Sequence, residues 1–383
     1  MPATPPPPSG AGSSDDHIHW SGSCTPHRTR RADHARHTIA VVITSAHSGL
    51  RNAWPAALFC AVLTLAASAC QDVRAPGAPP AIDGGTAPPT DVVRVLSWNV
   101  SDDAFVREPA AFRALMRRAD ADILLLDEVS PTTTDPQLRD ALPDITSGDE
   151  VWHIDRGASG GRQRNVIASR FALERAPEFA AVVPYPGDDR DRIQMRMTAS
   201  GETGPHYSMD GGIPVNGAIV VAGMRRLLVV SIDLQCCGDD PDSWQEERRQ
   251  VEVREVRRLV AQEIARTRVD GGIVAGDLNL VNTPLPLMIL SGPYPSPHAG
   301  LIAPDLRHLD GRETWTWDGR GTPFPSRPMD FILYGPHTLA LREGYILDSV
   351  DLSQPERERL GLEAESAARL SAHRPLVGTF AWK

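Results

Sequence analysis

Lysine is almost missing: Lys383 stands alone beside 38 arginines. That bias points to a GC-rich genome and carries no mechanism. Positive charge is short as well, with a formal net charge of −10 over 383 residues. From Cys70 onward 34 basic side chains face 46 acidic ones, a net of about −12. A protein that grips long nucleic acid by its phosphates is expected to be basic or to carry a basic stripe. No such stripe is present. The segment ERRQVEVREVRR (247–258) concentrates arginines but reads as a solvated helix face. Cysteines number five and none has CxxC spacing, which argues against a structural zinc site. Internal repeats are absent.

The apolar stretch that stands out near the start is RNAWPAALFCAVLTLAASAC (51–70). An arginine leads, an apolar core of export-signal length follows, and small residues precede Cys70. Ala67-Ser68-Ala69-Cys70 resembles a bacterial lipoprotein cleavage box, although Ala67 stands where leucine is preferred. The expectation is lipidation at Cys70 and a membrane anchor; an ordinary secretory signal or a short anchor segment is the alternative. Residues 1–50 have low complexity and no folded pattern, and the expected start of translation lies near Leu50. Residues 71–91, rich in Pro, Gly and Ala, read as a tether. The folded domain is expected over 92–383. Cys236 and Cys237, adjacent in DLQCCGDD, are either a vicinal disulfide in an oxidising compartment or two free thiols.

From residue 92 the pattern alternates. VVRVLSWNV (92–100) and ADILLLDEV (121–129) read as strands, the second apolar enough to be buried on both faces. Residues 109–120 read as a helix, and 243–266 as the longest helix, with Val253, Val256, Val260 and Ile264 along one face. Further strands are expected at 164–170, 178–183, 217–222, 226–234, 271–277, 327–334 and 374–380. Many strands and few long helices predict an α/β (α+β) fold, with two packed sheets flanked by helices.

Six polar residues stand at the ends of these apolar runs: Asn99, Glu128, Asp277, Asn279, Asp330 and His373. Strand ends present side chains to a cleft. Acids, amides and one imidazole together suit a divalent metal and hydrolysis of a phosphate ester. Asp277 and Asn279 lie two apart in GDLN, so on a strand both would face one side; a strand-to-turn Asx cap is the plainer alternative. Asp330, in RPMDF, is the natural partner for the His373 imidazole, fixing its tautomer and leaving the second nitrogen for phosphate or water.

The order and flanks of these runs, from about Val92 onward, resemble the endonuclease/exonuclease/phosphatase superfamily. The resemblance implies a four-layer sandwich of two mixed sheets between helices, and Mg²⁺ or Mn²⁺ as cofactor. It makes Glu128 the principal metal ligand and has Asn99 position the metal or a phosphate oxygen. Asp277 would orient the attacking water, and Asn279 would hydrogen-bond the developing charge. Trp315 and Trp317, in ETWTWDG, and Asn165, in QRNVIASR, are implied to line the site or touch substrate, with core packing the alternative for the tryptophans.

Two positions depart from the family pattern. Asp233 stands where the family has His or Tyr, and Ala372 replaces the aspartate before the final histidine. Asp233 can ligate metal or orient water. The carbonyls of Ser371 or Ala372, or water, would replace the missing aspartate, and Asp102 and Asp103 would add negative charge near the metal.

The expected function is a metal-dependent phosphoester hydrolase, exported to the cell envelope. Its substrate would be nucleic acid, phospholipid or a small phosphate ester, with the acidic domain favouring the latter two. No protein partner is evident. The competing reading is a catalytically silent binding protein on the same fold.

Overall fold

The computed structural model describes residues 91–101, 103–145, 151–204, 207–292 and 300–383. The segment 51–70 with Cys70, residues 1–50, the tether 71–91 apart from Asp91, and Asp102 lie outside the described residues. Among the described residues no helix is long and apolar enough to cross a membrane.

Eleven strands form two sheets. The first orders β10 (Leu339–Ile346), β11 (Leu376–Trp382), β1 (Val92–Asn99), β2 (Ile123–Val129), β4 (Arg164–Ser169) and β3 (His153–Arg156). The second orders β5 (Ala172–Arg175), β6 (Val215–Ala222), β7 (Arg225–Asp233), β8 (Gly271–Asp277) and β9 (Asp330–Tyr334). β1 runs parallel to β2, and β7 to β8; the other pairings are antiparallel, so both sheets are mixed.

Side chains two apart on a strand share a face, and that rule builds the layers. Val93, Val95, Ile123, Leu125 and Ile167 of the first sheet meet Leu227, Val229, Ile273, Ala275 and Ile332 of the second in one apolar seam. The alternate residues face outward. Leu96, Trp98, Leu124 and Leu126 pack beneath α1 (Ala104–Arg107), α2 (Pro109–Ala119), α3 (Asp135–Ala141) and α8 (Ser366–Leu370), with Trp98 stacked on Phe112 at 5.3 Å. Leu228, Val230, Ile232 and Val274 pack beneath α4 (Gly187–Ala199), α5 (Trp244–Arg266) and α6 (Leu285–Ser291). α7 (Gln354–Leu360) buries no residue fully. The result is the expected four-layer sandwich.

The longest helix, α5, starts where Ser243 accepts a hydrogen bond from the Glu246 amide, and Glu246 and Glu247 complement its N-terminus. Two of its arginines correct the solvated-face expectation, while Arg254 and Arg258 are exposed in line with it. Arg248 and Arg249 are buried; Arg249 pairs with Glu246 and donates to the carbonyls of Gln235 (2.9 Å) and Cys237 (2.6 Å), pinning the loop that follows β7. The strand expected at 178–183 is instead a 3₁₀ turn, Pro177–Phe179, followed by loop. Phe179 lies over Gly217, where a Cβ would come within 2.5 Å of its ring. That docking, started by Pro177, wins over β propensity. The vicinal ring is also not formed: Cys236 is a free thiol, its sulfur 3.1 Å from that of Cys237.

Candidate active site

The seam is apolar along most of its length and turns polar at one end. Continuing each strand's inward-facing alternation gives Asn99 after Val95, Asp127 after Leu125 and Asn165 before Ile167. On the second sheet it gives Ser231 and Asp233 after Val229, Asp277 after Ala275 and Asp330 before Ile332. All seven are buried. Because β4 and β9 run against β2 and β8, their first residues meet the last residues of the others at this end. The site is thus the polar terminus of the inter-sheet core, half of it on each sheet.

Glu128 breaks the alternation that would point it at the helices. The pairing of β2 with β4 shifts between Leu126 and Val129, and Glu128 has φ 56°, a left-handed conformation that costs a non-glycine residue on the order of 1 kcal/mol. This bulge turns its carboxylate into the cleft, where Oε1 accepts from Asn99 Nδ2 at 3.0 Å. The same Asn99 nitrogen reaches Asp277 Oδ2 at 3.2 Å across the seam, and Asn99 Oδ1 accepts from the Ser101 amide. Asn99 therefore orients two carboxylates, with its oxygen turned to the backbone.

His373 lies just ahead of β11 with Nδ1 2.9 Å from Asp330 Oδ2, and Nε2 3.7 Å from Asp277 Oδ2. Burial opposes its charged form, but the carboxylates of Asp330 and Asp277 outweigh it and push the imidazole up to about 10. Burial, then repulsion from Asp330, pushes Asp277 up to about 7 against the pull of His373. Asp233 is raised well above the usual carboxylate range by burial first and then by Glu128 and Asp277, and Asp127 by burial.

Asn279 follows the end of β8. Leu278 is buried between it and Asp277, Asn279 has φ 49°, and its amide donates to Asp277 Oδ1 at 2.8 Å. This Asx turn, rather than strand alternation, brings the pair together. Asn279 Nδ2 donates to Leu234 O at 2.8 Å and lies 3.5 Å from Asp233 Oδ1.

The remaining expectations fall at different depths. Asn165 is buried beneath the cleft, its amide bonded to Asp127 and Ser231. Trp315 carries the Arg374 guanidinium over its ring at 5.2 Å, and Trp317 bridges in antiparallel fashion to His373. Asp103 accepts from the Ser130 amide at 2.9 Å and from the Thr133 hydroxyl, so it ties two loops together. The substitute carbonyls are likewise engaged: Ser371 O accepts from Arg374 Nη1 (2.9 Å) and Ala372 O from the Asp318 amide (2.8 Å).

Asp127, Ser231, Arg374 and the hydroxyl of Ser371 escaped the sequence reading. Asp127 had a signal, since two adjacent acids in a strand buried on both faces need partners. Arg374 is wholly buried and held by Asp348 and Asp318, and Ser371 receives the His373 amide and donates to Asn99 O.

A hard cation suits this donor set. Glu128, Asp233, Asp277 and Asp330 gather with one imidazole at the cleft, and Asp330 Oδ1 is buried with no hydrogen-bond partner. Asp277, Asp330 and His373 offer ligand atoms within 4.8 Å of one another. Glu128 lies near enough to Asp277 and Asp233 to act on both their charges, so oxygen atoms suited to a divalent ion gather here.

Comparison with known proteins agrees with the chemistry. No curated protein matches the chain. Among solved structures, truncated TDP2 from Caenorhabditis elegans is similar at 15% identity over 76% of this chain and 98% of its own, with TM-score 0.48. An endonuclease/exonuclease/phosphatase from Bacteroides vulgatus is similar at 12% identity over 76% and 99%, with TM-score 0.46. The human Nocturnin catalytic domain is similar at 15% identity over 78% and 100%, with TM-score 0.42. The pattern of one family, described as Endonuclease/Exonuclease/phosphatase family, matches residues 96–353, which takes in strands of both sheets and stops ahead of α7, α8 and His373. The chain belongs to the Endonuclease/Exonuclease/phosphatase family, and with it to the metal-dependent phosphoester hydrolases.

Proposed function

We propose that the chain hydrolyses a phosphoester bond by in-line attack of water, with Mg²⁺ or Mn²⁺ held by Glu128 and Asp233. The bound ion would supply charge neutralisation at the phosphate. The observation that carries this reading is the line Asp330–His373–Asp277, an imidazole fixed between two buried carboxylates. Asp330 holds the tautomer and orientation of the ring through Nδ1. Protonated Nε2 faces the cleft and offers a charge-assisted hydrogen bond to a phosphate oxygen. Asp277, braced by the Asn279 amide, accepts the proton of the attacking water. Asn279 holds the loop after β7 through Leu234 O and so keeps Asp233 against the site.

The acidic domain favours small or lipid phosphoesters over long nucleic acid. The signal-like segment ending at Cys70 favours the outer face of the cell envelope, with a lipid anchor. The test is turnover of bis-p-nitrophenyl phosphate, plasmid DNA, sphingomyelin and inositol phosphates with Mg²⁺, Mn²⁺ or EDTA. EDTA-sensitive hydrolysis of one class is the expected result; hydrolysis indifferent to EDTA would overturn the metal assignment.

A further inference from the structure

Asp127 has no place in the chemistry above, yet it is a carboxylate with no exposed surface at the centre of the seam. It receives donors from three strands. Oδ1 accepts from Asn165 Nδ2 (3.0 Å) on β4 and from Ser231 Oγ (2.6 Å) on β7, and Oδ2 accepts from the Asp277 backbone amide (3.3 Å) on β8. Asn165 Nδ2 also lies 3.1 Å from Ser231 Oγ, closing a triangle. Two of these three strands belong to the opposite sheet. A buried carboxylate is expensive unless it is well bonded, and an apolar residue here would simply extend the seam laid down by Ile123 and Leu125.

We infer that Asp127 is a positioning residue: it sets the register of one sheet against the other at the cleft and holds Asp277, through its backbone amide, opposite Glu128 and Asn99. The inference rests on the functional reading just given. The donor inventory makes it testable. An asparagine at 127 replaces one acceptor oxygen with an NH₂ donor, which either meets the Asp277 amide donor against donor or forces Asn165 to turn over and give up its Nδ2 contact with Ser231. Exchanging the two residues removes the conflict. In the double variant Asp127→Asn/Asn165→Asp, the amide at 127 donates to the new carboxylate at 165, which also accepts from Ser231, while the remaining oxygen at 127 still accepts from Asp277. The number of charges is unchanged.

The experiment compares the full chain with Asp127→Asn, with the exchange variant and with Ser231→Ala. It measures kcat and KM on bis-p-nitrophenyl phosphate, and amide exchange of the segment 275–281 by mass spectrometry. Asp127→Asn is expected to lower kcat about tenfold or more with KM within about twofold. Exchange at 275–281 should quicken about tenfold while the rest of β8 is unchanged. The double variant should restore both. A kcat for Asp127→Asn within about twofold of wild type, or no recovery in the double variant, overturns the inference. If the single variant does not fold, Ser231→Ala decides: a drop of about threefold supports the inference and an unchanged kcat sinks it. If the wild-type chain turns over no ester, the functional reading falls, and the exchange data alone decide for or against the positioning role.

Discussion

His373 and Asp277 take their character from what surrounds them. With Asp330 on one ring nitrogen and Asp277 near the other, His373→Ala should lower kcat by about 10²–10⁴-fold and should also lower the melting temperature below pH 6.5, where the charged ring stabilises the fold, as steady-state kinetics beside thermal melts would show. Arg374 gives a second expectation at this scale. It ties the carbonyls ahead of the histidine to Asp318 and Asp348 with a planar fork, and lysine cannot reproduce that geometry. Arg374→Lys should lower the melting temperature by several degrees and also reduce kcat. The residues at strand ends were legible in the sequence because a polar group that stops an apolar run is conspicuous. Those that brace them were not. Ser231 looks like an ordinary strand residue until the opposite sheet is in place, and Trp315 shows its role only when Arg374 is found stacked on it.

Glycine 276 shows how an element aims a residue. Its φ is 142°, and a Cβ there would stand 1.8 Å from Ile232 O on the neighbouring strand. Gly276→Ala should therefore cost at least about 3 kcal/mol, read as a lower urea midpoint, and should displace Asp277 so that residual folded protein is also slow. Long apolar strands and α5 were legible from period alone. α4 was not, because only Ile193 and Met197 of its thirteen residues are buried and the rest is Asp- and Arg-rich. The edge strands β3, β5 and β10 were missed for a related reason: half-exposed strands carry mixed sequences that alternate weakly. The bulge at Glu128 left no mark in the sequence, since a left-handed glutamate is selected by the cleft it serves.

Across the whole molecule, the crowd of buried acids ties stability to pH and to metal. Asp277 titrates near 7 when folded against a usual 3.8, so the folded state holds a proton the unfolded chain has released, and stability falls as pH rises through that window. His373, raised from 6.5 to about 10, adds stability that is complete below 6.5 and is lost as pH climbs towards 10. Both act in the same direction. In EDTA the melting temperature should fall steadily from pH 5 to pH 9, and saturating Mn²⁺ should raise it most at the alkaline end, through a stabilisation of about 2.7 kcal/mol at a hundredfold excess over Kd. A melting temperature in EDTA that rises over this range would contradict the arrangement. The same strand that begins behind His373 also has a far end. β11 runs from Leu376 to Trp382 and is followed by Lys383, so the only side-chain amine of the protein lies about 23 Å from the cleft along seven residues of strand. Amine coupling through it would immobilise the molecule on a chip or bead with its catalytic mouth turned outward.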